Sequence, residues 1–342
     1  MIDRRRFGCA SLGGLLVTLG LQAPARAADH RVQYDARTAL GTRVRITVVH
    51  PSPAVRRQAL DAAWRLLGAR EALMSRYRSD NPLQALAERA GQPGWVHVPA
   101  PLMQVLQAAR AASAFTEGAF DATVGAYRDW RFDDPSGGRM IVSEARLRKQ
   151  RPAVDWRALQ LDEVNGRARL ARPNMALDLG GIAKLLILEE ALAEVVALGI
   201  GDAMVDGGGD VLCRGSRIDR PWRVGVRDPL APQRLLGVVS LTNGIVASSG
   251  DYERGFDDAQ GLRWHHVLDP TTGRPTRGVH GVALLADRVA DVNGLGTAIM
   301  VGGPRAAARW LGARQQVHAL VATEQGHAMT PGFVNRLQPT TS

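Results

Sequence analysis

Between Asp178 and Asp210 the chain reads Asp-Leu-Gly-Gly-Ile-Ala-Lys, then an apolar run, then Met204-Val-Asp-Gly-Gly-Gly-Asp210. Leu185, Leu188, Leu192, Val195 and Val196 recur in the 3.6-residue rhythm, which predicts a helix from about Ile182 to Leu198. Gly180 and Gly181 stand directly before it. Backbone amides at a helix start, with the positive end of the dipole, bind phosphate, and glycine lets a ligand approach the backbone closely. Lys184 adds a cation. Of 43 basic residues only Lys149 and Lys184 are lysines, so a compact ammonium here goes against the drift of the chain. A strand from Ala203 to Val205 then ends in Asp206 and three glycines, a turn able to hold carboxylates beside a ligand. The same spacing also suits a plain strand-to-helix connection with ordinary caps, and it is neither a Walker A loop nor a Gly-x-Gly-x-x-Gly fingerprint.

The first residues set a destination. Arg4-Arg5-Arg6-Phe7 leads into an uncharged, largely apolar run from Gly8 to Leu21 and then Ala25-Arg26-Ala27, a small-x-small cleavage site. This predicts a twin-arginine export signal over residues 1–27, with residues 28–342 as the mature domain and the periplasm as its compartment. The apolar run is shorter than the roughly 20 residues of a spanning helix, so no permanent membrane span is expected. Loss of Cys9 with the signal leaves Cys213 alone, without an intrachain disulfide. Removing four arginines and one aspartate lowers the formal charge from +10 to +7. The remaining arginines are scattered rather than interleaved with aromatics, which argues against nucleic acid and suits an anionic ligand such as a dinucleotide. No linker or repeat divides the chain, so one compact unit, or two lobes, is expected.

In order, Thr42 to Val49 alternates as a strand and Pro53 to Leu73 repeats as a long amphipathic helix, an α+β opening. Met74 to Pro82 is a polar loop whose Tyr77 could stack on a ligand ring or be an ordinary loop tyrosine. A helix from about Leu102 to Thr116 ends at Gly118, and Asp121 with Thr123 could cap the next turn or face a ligand. Asp129 to Ala153, rich in Asp, Gly, Arg and Pro, reads as a surface excursion. Strands follow at Trp222 to Arg227, Leu235 to Leu241 and Gly244 to Ser248. His265 and His266 are adjacent near a strand end, so at most one faces a given site. Asp269-Pro-Thr-Thr-Gly273 is a turn. Ala290 to Gly302 reads as one helix carrying Asn293 and Thr297 on one face, two oxygen donors suited to a hard cation such as Mg²⁺.

Together these segments resemble the FAD:protein FMN transferase family, also called ApbE, from about Leu40 to Ala322. The resemblance lies in the order of Leu40-Gly-Thr42, Ser75-Arg-Tyr77, Gly118 to Gly125, Asp178 to Lys184, Gly208-Gly-Asp210, Ser249 to Arg254 and His266 to Gly273. It implies an α+β, T-fold-like body of mixed sheets with packed helices. The implied activity is Mg²⁺-dependent: FAD is split, FMN passes to a Thr or Ser hydroxyl of an exported acceptor protein, and AMP leaves. By family position Leu40, Tyr77, Ala119, Phe120, Asp121, Asp178, Lys184 and Val267 would line FAD. Gly181, through its main-chain oxygen, Asn293 and Thr297 would hold the metal, and His266 and Asp251 would move the proton. Two departures stand out. Leu185 and Leu186 replace the family's glycine and aromatic and would crowd the helix start. Asn293 replaces a metal-binding aspartate, for which Asp291 could substitute if the helix began differently. These departures carry an alternative expectation, a protein that holds FAD without transferring it.

Overall fold

The computed structural model describes residues 30–132 and 140–339, so the predicted export signal lies outside the described residues. From Arg31 onward they form one compact unit rather than two lobes. An eight-stranded antiparallel sheet organises it, in the order Val32–Ala39, Thr42–Val49, Asp202–Gly207, Asp210–Arg214, Gly244–Gly250, Val279–Ala286, His318–Thr323 and Gly326–Met329.

Alternation along these strands decides which layer each side chain joins. Val44, Ile46 and Val48 are fully buried on one face, opposite Gly207, Val205 and Ala203 of the neighbouring strand. Leu212, Ile245, Ala247, Val282 and Leu284 continue that face into the main core, where helices Pro53–Met74, Ala100–Phe115, Gly180–Ala197 and Leu295–Gly312 cover it. The intervening residues Val211, Cys213, Val246, Ala283 and Leu285 face a second layer, the small sheet Leu337–Gln338, Leu235–Leu241 and Trp222–Arg227. Strands buried on both faces read as continuous apolar runs, as Val282 to Ala286 does. Cys213 is buried there, and burial pushes its thiol up to about 12, which keeps it protonated.

Leu235–Leu241 and Gly244–Gly250 are consecutive in the chain but belong to different sheets. The crossing is made at Gly244, whose φ is +119° and where a Cβ would stand 2.8 Å from the Ala286 carbonyl oxygen. Only glycine fits such a turn.

The long first helix begins where the sequence says it should. Ser52 caps it by accepting from the Val55 amide, and Pro53 occupies the first turn. Residues 133–139 lie outside the described residues, but the rest of the stretch from Asp129 to Ala153 is more than a surface excursion. Trp130, Val142 and Leu147 are buried with Tyr127, Phe256 and Trp264 in a third, aromatic core, and Glu144–Gln150 is a helix. Trp130 stacks between Phe132, at 5.3 Å, and Trp264, at 5.6 Å. Three aromatic rings outweigh the polar composition around them.

Candidate active site

A cavity of about 740 Å³ opens where the first turn of the Gly180–Ala197 helix meets the ends of the central strands. That is the size of a pocket for a large cofactor. Segments far apart in sequence line it: Leu40 to Thr42, Ser75 to Tyr77, Ala119 to Asp121, Asp178 to Gly181, Ser248 to Gly250, Tyr252 to Arg254 and His266 to Leu268. Among the residues singled out from the sequence, Leu40, Tyr77, Ala119, Phe120, Asp121, Asp178, Gly181, Lys184, His266, Val267 and Thr297 are on its wall.

The helix begins at Gly180, so both glycines are its first residues rather than its approach. A Cβ on Gly181 would sit 3.3 Å from the Phe120 ring and 3.4 Å from Thr297 Oγ1. Glycine thus brings backbone, aromatic and hydroxyl together at one point. Asp178 accepts from the Gly180 amide at 2.9 Å through Oδ1, and Arg76 donates to its Oδ2. Burial alone would raise the Asp178 pKa, but Arg76, the Gly180 amide and Arg254 reverse this and hold it below the usual carboxylate range. Arg76 also lies over the Tyr77 ring at 5.2 Å. Tyr77 is 74% exposed, so it forms the rim rather than part of the core.

Lys184 pairs with Asp210 at 2.7 Å, and the other oxygen of Asp210 accepts from the Ser248 amide at 2.8 Å. Asp121 is committed twice over. Oδ1 accepts from the amide and hydroxyl of Thr123 at 2.7 and 2.6 Å, and Oδ2 accepts from the Trp156 amide at 3.0 Å. It caps the short helical turn Ala122–Ala126 while bordering the cavity, and burial pushes its carboxyl up despite those bonds.

The adjacent histidines part as alternation requires. His265 is buried, with Nε2 donating to the Thr276 carbonyl at 2.9 Å. His266 faces the cavity, with Nδ1 donating to the Arg254 carbonyl at 3.2 Å. With Nδ1 carrying the hydrogen, Nε2 of the neutral ring is the basic nitrogen. Burial, with the positive charge of Arg254, pushes the His266 pKa down to about 3, so the ring is neutral at physiological pH. Asp251 does not border the cavity. Its Oδ2 is 2.7 Å from His280 Nδ1, and its amide donates to the His280 carbonyl at 3.0 Å.

Asn293 and Thr297 do not share a helix. Val289–Val292 is a short helix that Asn293 closes in extended conformation, Gly294 follows at φ +75°, and Thr297 lies in the first turn of Leu295–Gly312. At Gly294 a Cβ would meet Ala112 at 3.1 Å and Ile182 and Phe120 at 3.3 Å, so close packing as well as φ breaks the helix there. Asn293 is buried between two wall residues, Val292 and Gly294, and its Nδ2 donates to the Ile182 carbonyl at 2.9 Å. Its Oδ1 is buried without a hydrogen-bond partner. An unbonded buried amide oxygen behind the wall, with the Thr297 hydroxyl beside Gly181 on it, fits a hard cation that takes oxygen donors. Asp291 cannot substitute, because Arg288 binds both its oxygens at 3.0 and 2.9 Å and Gln316 donates to it at 3.3 Å. Nor do the two leucines obstruct the helix start. Leu185 is buried in the main core where it forms part of the wall, and Leu186 packs against that core without reaching the cavity.

A model of the ApbE family matches residues 40–321. The chain belongs to the ApbE family. It is 32% identical over 288 residues to the FAD:protein FMN transferase of Treponema pallidum, a match covering 78% of each chain. It is 37% identical over 214 residues to that of Rhodobacter capsulatus, covering 61% of this chain but only 40% of the relative. Among solved structures, the ApbE protein of Thermotoga maritima superposes with a TM-score of 0.81 at 28% identity, covering 90% of this chain and 99% of that one. The flavin transferase ApbE of Vibrio cholerae follows at 0.78 and 26%, with the same coverage. Among the wall residues of this ApbE fold to which the sequence alone assigns no role are Arg76, Arg254 and Ser248. Arg76 filled the variable position of Ser75-Arg-Tyr77, and only a long-range ion pair shows what it does.

Proposed function

We propose that this ApbE family member is a FAD:protein FMN transferase, acting with Mg²⁺ on a Thr or Ser hydroxyl of an exported protein and releasing AMP. The observation that carries the reading is one cavity that joins a glycine-started helix N-terminus, the cations Arg76, Lys184 and Arg254, and the neutral His266. Relatives matched over most of their length bear the transferase name.

The residues divide the work. The first turn of the Gly180–Ala197 helix and the nearby cations receive the pyrophosphate, while Tyr77 and Phe120 offer ring faces to the flavin or adenine. The acceptor hydroxyl attacks the FMN phosphorus, the bond to the AMP oxygen breaks, and the hydroxyl proton passes to Nε2 of His266. The negative charge of the bound phosphates counteracts Arg254 and raises the basicity of that ring when it is needed. Asp251, paired with His280 outside the cavity, positions the loop that carries Tyr252 to Arg254. The Gly181 carbonyl, Asn293 and Thr297 would hold Mg²⁺, which when bound neutralises phosphate charge.

Among the described residues no helix is long and apolar enough to cross a membrane. The proposed setting is the periplasm, reached through the twin-arginine signal of residues 1–27.

The test is incubation with FAD and a threonine-bearing flavin-acceptor domain, with and without Mg²⁺, following AMP and acceptor mass. An acceptor that gains FMN only with metal supports the proposal. FAD retained intact with metal and acceptor present would sink it and favour a protein that only holds FAD.

A further inference from the structure

We propose that this chain takes up its divalent metal only together with the flavin dinucleotide, because its own donors to the metal are uncharged. The inference rests on the transferase reading and deepens it by stating how the two ligands depend on each other.

Asn293 is 7% exposed, and its bond to the Ile182 carbonyl fixes which end of the amide is oxygen. The remaining Oδ1 is buried and unbonded, an unfavourable arrangement unless something fills it. A hard cation would satisfy it, as it would the Thr297 hydroxyl and the Gly181 carbonyl. None of these three brings a negative charge. A dication that sheds part of its hydration shell for neutral oxygens alone gains little over water, and Mg²⁺ is ordinarily held by carboxylates together with substrate phosphates.

The surrounding acids do not make good the deficit. Asp291, two residues before Asn293, is held by Arg288 and Gln316. On the cavity wall, Asp178 is paired with Arg76, Asp210 with Lys184, and both oxygens of Asp121 accept hydrogen bonds. Glu71 accepts from the Leu40 amide at 2.9 Å, and Glu253 is an exposed residue of the wall, well hydrated where it stands. Among the described residues no three His, Cys, Asp or Glu side chains gather to hold a metal. The charge that fixes the cation therefore comes from the FAD pyrophosphate, and the protein contributes placement.

The experiment uses Mn²⁺ as the probe and needs neither acceptor nor turnover. Free Mn²⁺ is read by electron paramagnetic resonance with the protein alone, with FAD alone and with both, while flavin fluorescence reports FAD binding. The protein alone is expected to bind Mn²⁺ weakly, and FAD to tighten binding by about tenfold or more. Coupling is reciprocal, so Mn²⁺ should tighten FAD binding by the same factor. Asn293→Asp, checked for folding by its thermal transition, is expected to bind Mn²⁺ without FAD. Equal Mn²⁺ affinity with and without FAD in the natural protein would overturn the proposal, as would a folded Asn293→Asp that gains no affinity. Coupling without FMN transfer would count against the transferase reading alone, and transfer without coupling against this inference alone.

Discussion

Lys184 Nζ lies 2.7 Å from Oδ2 of Asp210, tying the first turn of the Gly180–Ala197 helix to the strand that leaves the triple-glycine turn. The carboxylate side chain is only 5% exposed and the lysine 27%, so the pair is wet at one end and dry at the other. Asp210 is held in addition by the Ser248 amide, and on the proposed reading the lysine turns from the carboxylate to a phosphate. The pair presets a cation beside the helix start.

Lys184→Met should therefore do two things at once. It strands a buried carboxylate, costing about 1–3 kcal/mol of stability, and it weakens FAD binding. Asp210→Asn removes the charge but keeps an acceptor for the Ser248 amide, so it should cost less stability and leave FAD bound. Urea midpoints with FAD titrations of both variants check this difference.

Arg76→Ala should separate binding from stability in the opposite sense. Its pair with Asp178 has both side chains about a third exposed, which limits the stability loss to under about 1 kcal/mol. On the proposed reading FAD binding weakens by about tenfold, or 1.4 kcal/mol. Asp178 contributes stability above its unfolded pKa and loses it as pH falls through its depressed folded pKa. Without Arg76 that loss should begin at a higher pH, visible as an earlier acid limb in denaturation.

His266 should shape the acid response of the fold. Its folded pKa is pushed down to about 3, while the unfolded side chain titrates near 6.5. Between these values the unfolded chain binds the extra proton, so this residue makes stability fall as pH drops below about 6.5 and leaves it level above. His266→Gln should flatten that part of the profile, as denaturation at pH 7 and pH 5 would show. The same substitution should abolish most FMN transfer while FAD still binds.

Gly294→Ala tests the break between the two helices. It imposes a left-handed φ on a side chain and forces a Cβ against Ala112, for a combined cost of about 2–4 kcal/mol. Because the residue follows Asn293, Mn²⁺ binding in the presence of FAD should fall even in the fraction that remains folded. Calorimetric melting and spin-probe titration read the two effects separately.

Much of this was written in local pattern. The 3.6-residue rhythm after Gly181 placed the helix to within two residues of its start, and the Thr42 to Val49 alternation gave a strand whose Val44, Ile46 and Val48 fill the core. The order of short motifs from Leu40 to Gly273 was enough to suggest the ApbE family. Such signals survive in a single sequence because helix faces, strand faces and turns are set by residues a few positions apart.

What the tertiary structure decided involves partners that no spacing predicts. Arg76 meets Asp178 across 102 residues, Asp251 turns to His280 instead of the cavity, and Arg288 withdraws Asp291 from any metal. Asn293 looked like a helix-face neighbour of Thr297, yet Ala112, Ile182 and Phe120 crowd the next position so closely that only a left-handed glycine fits and the helix breaks. Chain-neighbouring strands at Leu235–Leu241 and Gly244–Gly250 part into different sheets for the same kind of reason. Periodicity fixes which face of an element is apolar, whereas packing against distant elements fixes where a side chain ends and what charge it meets there.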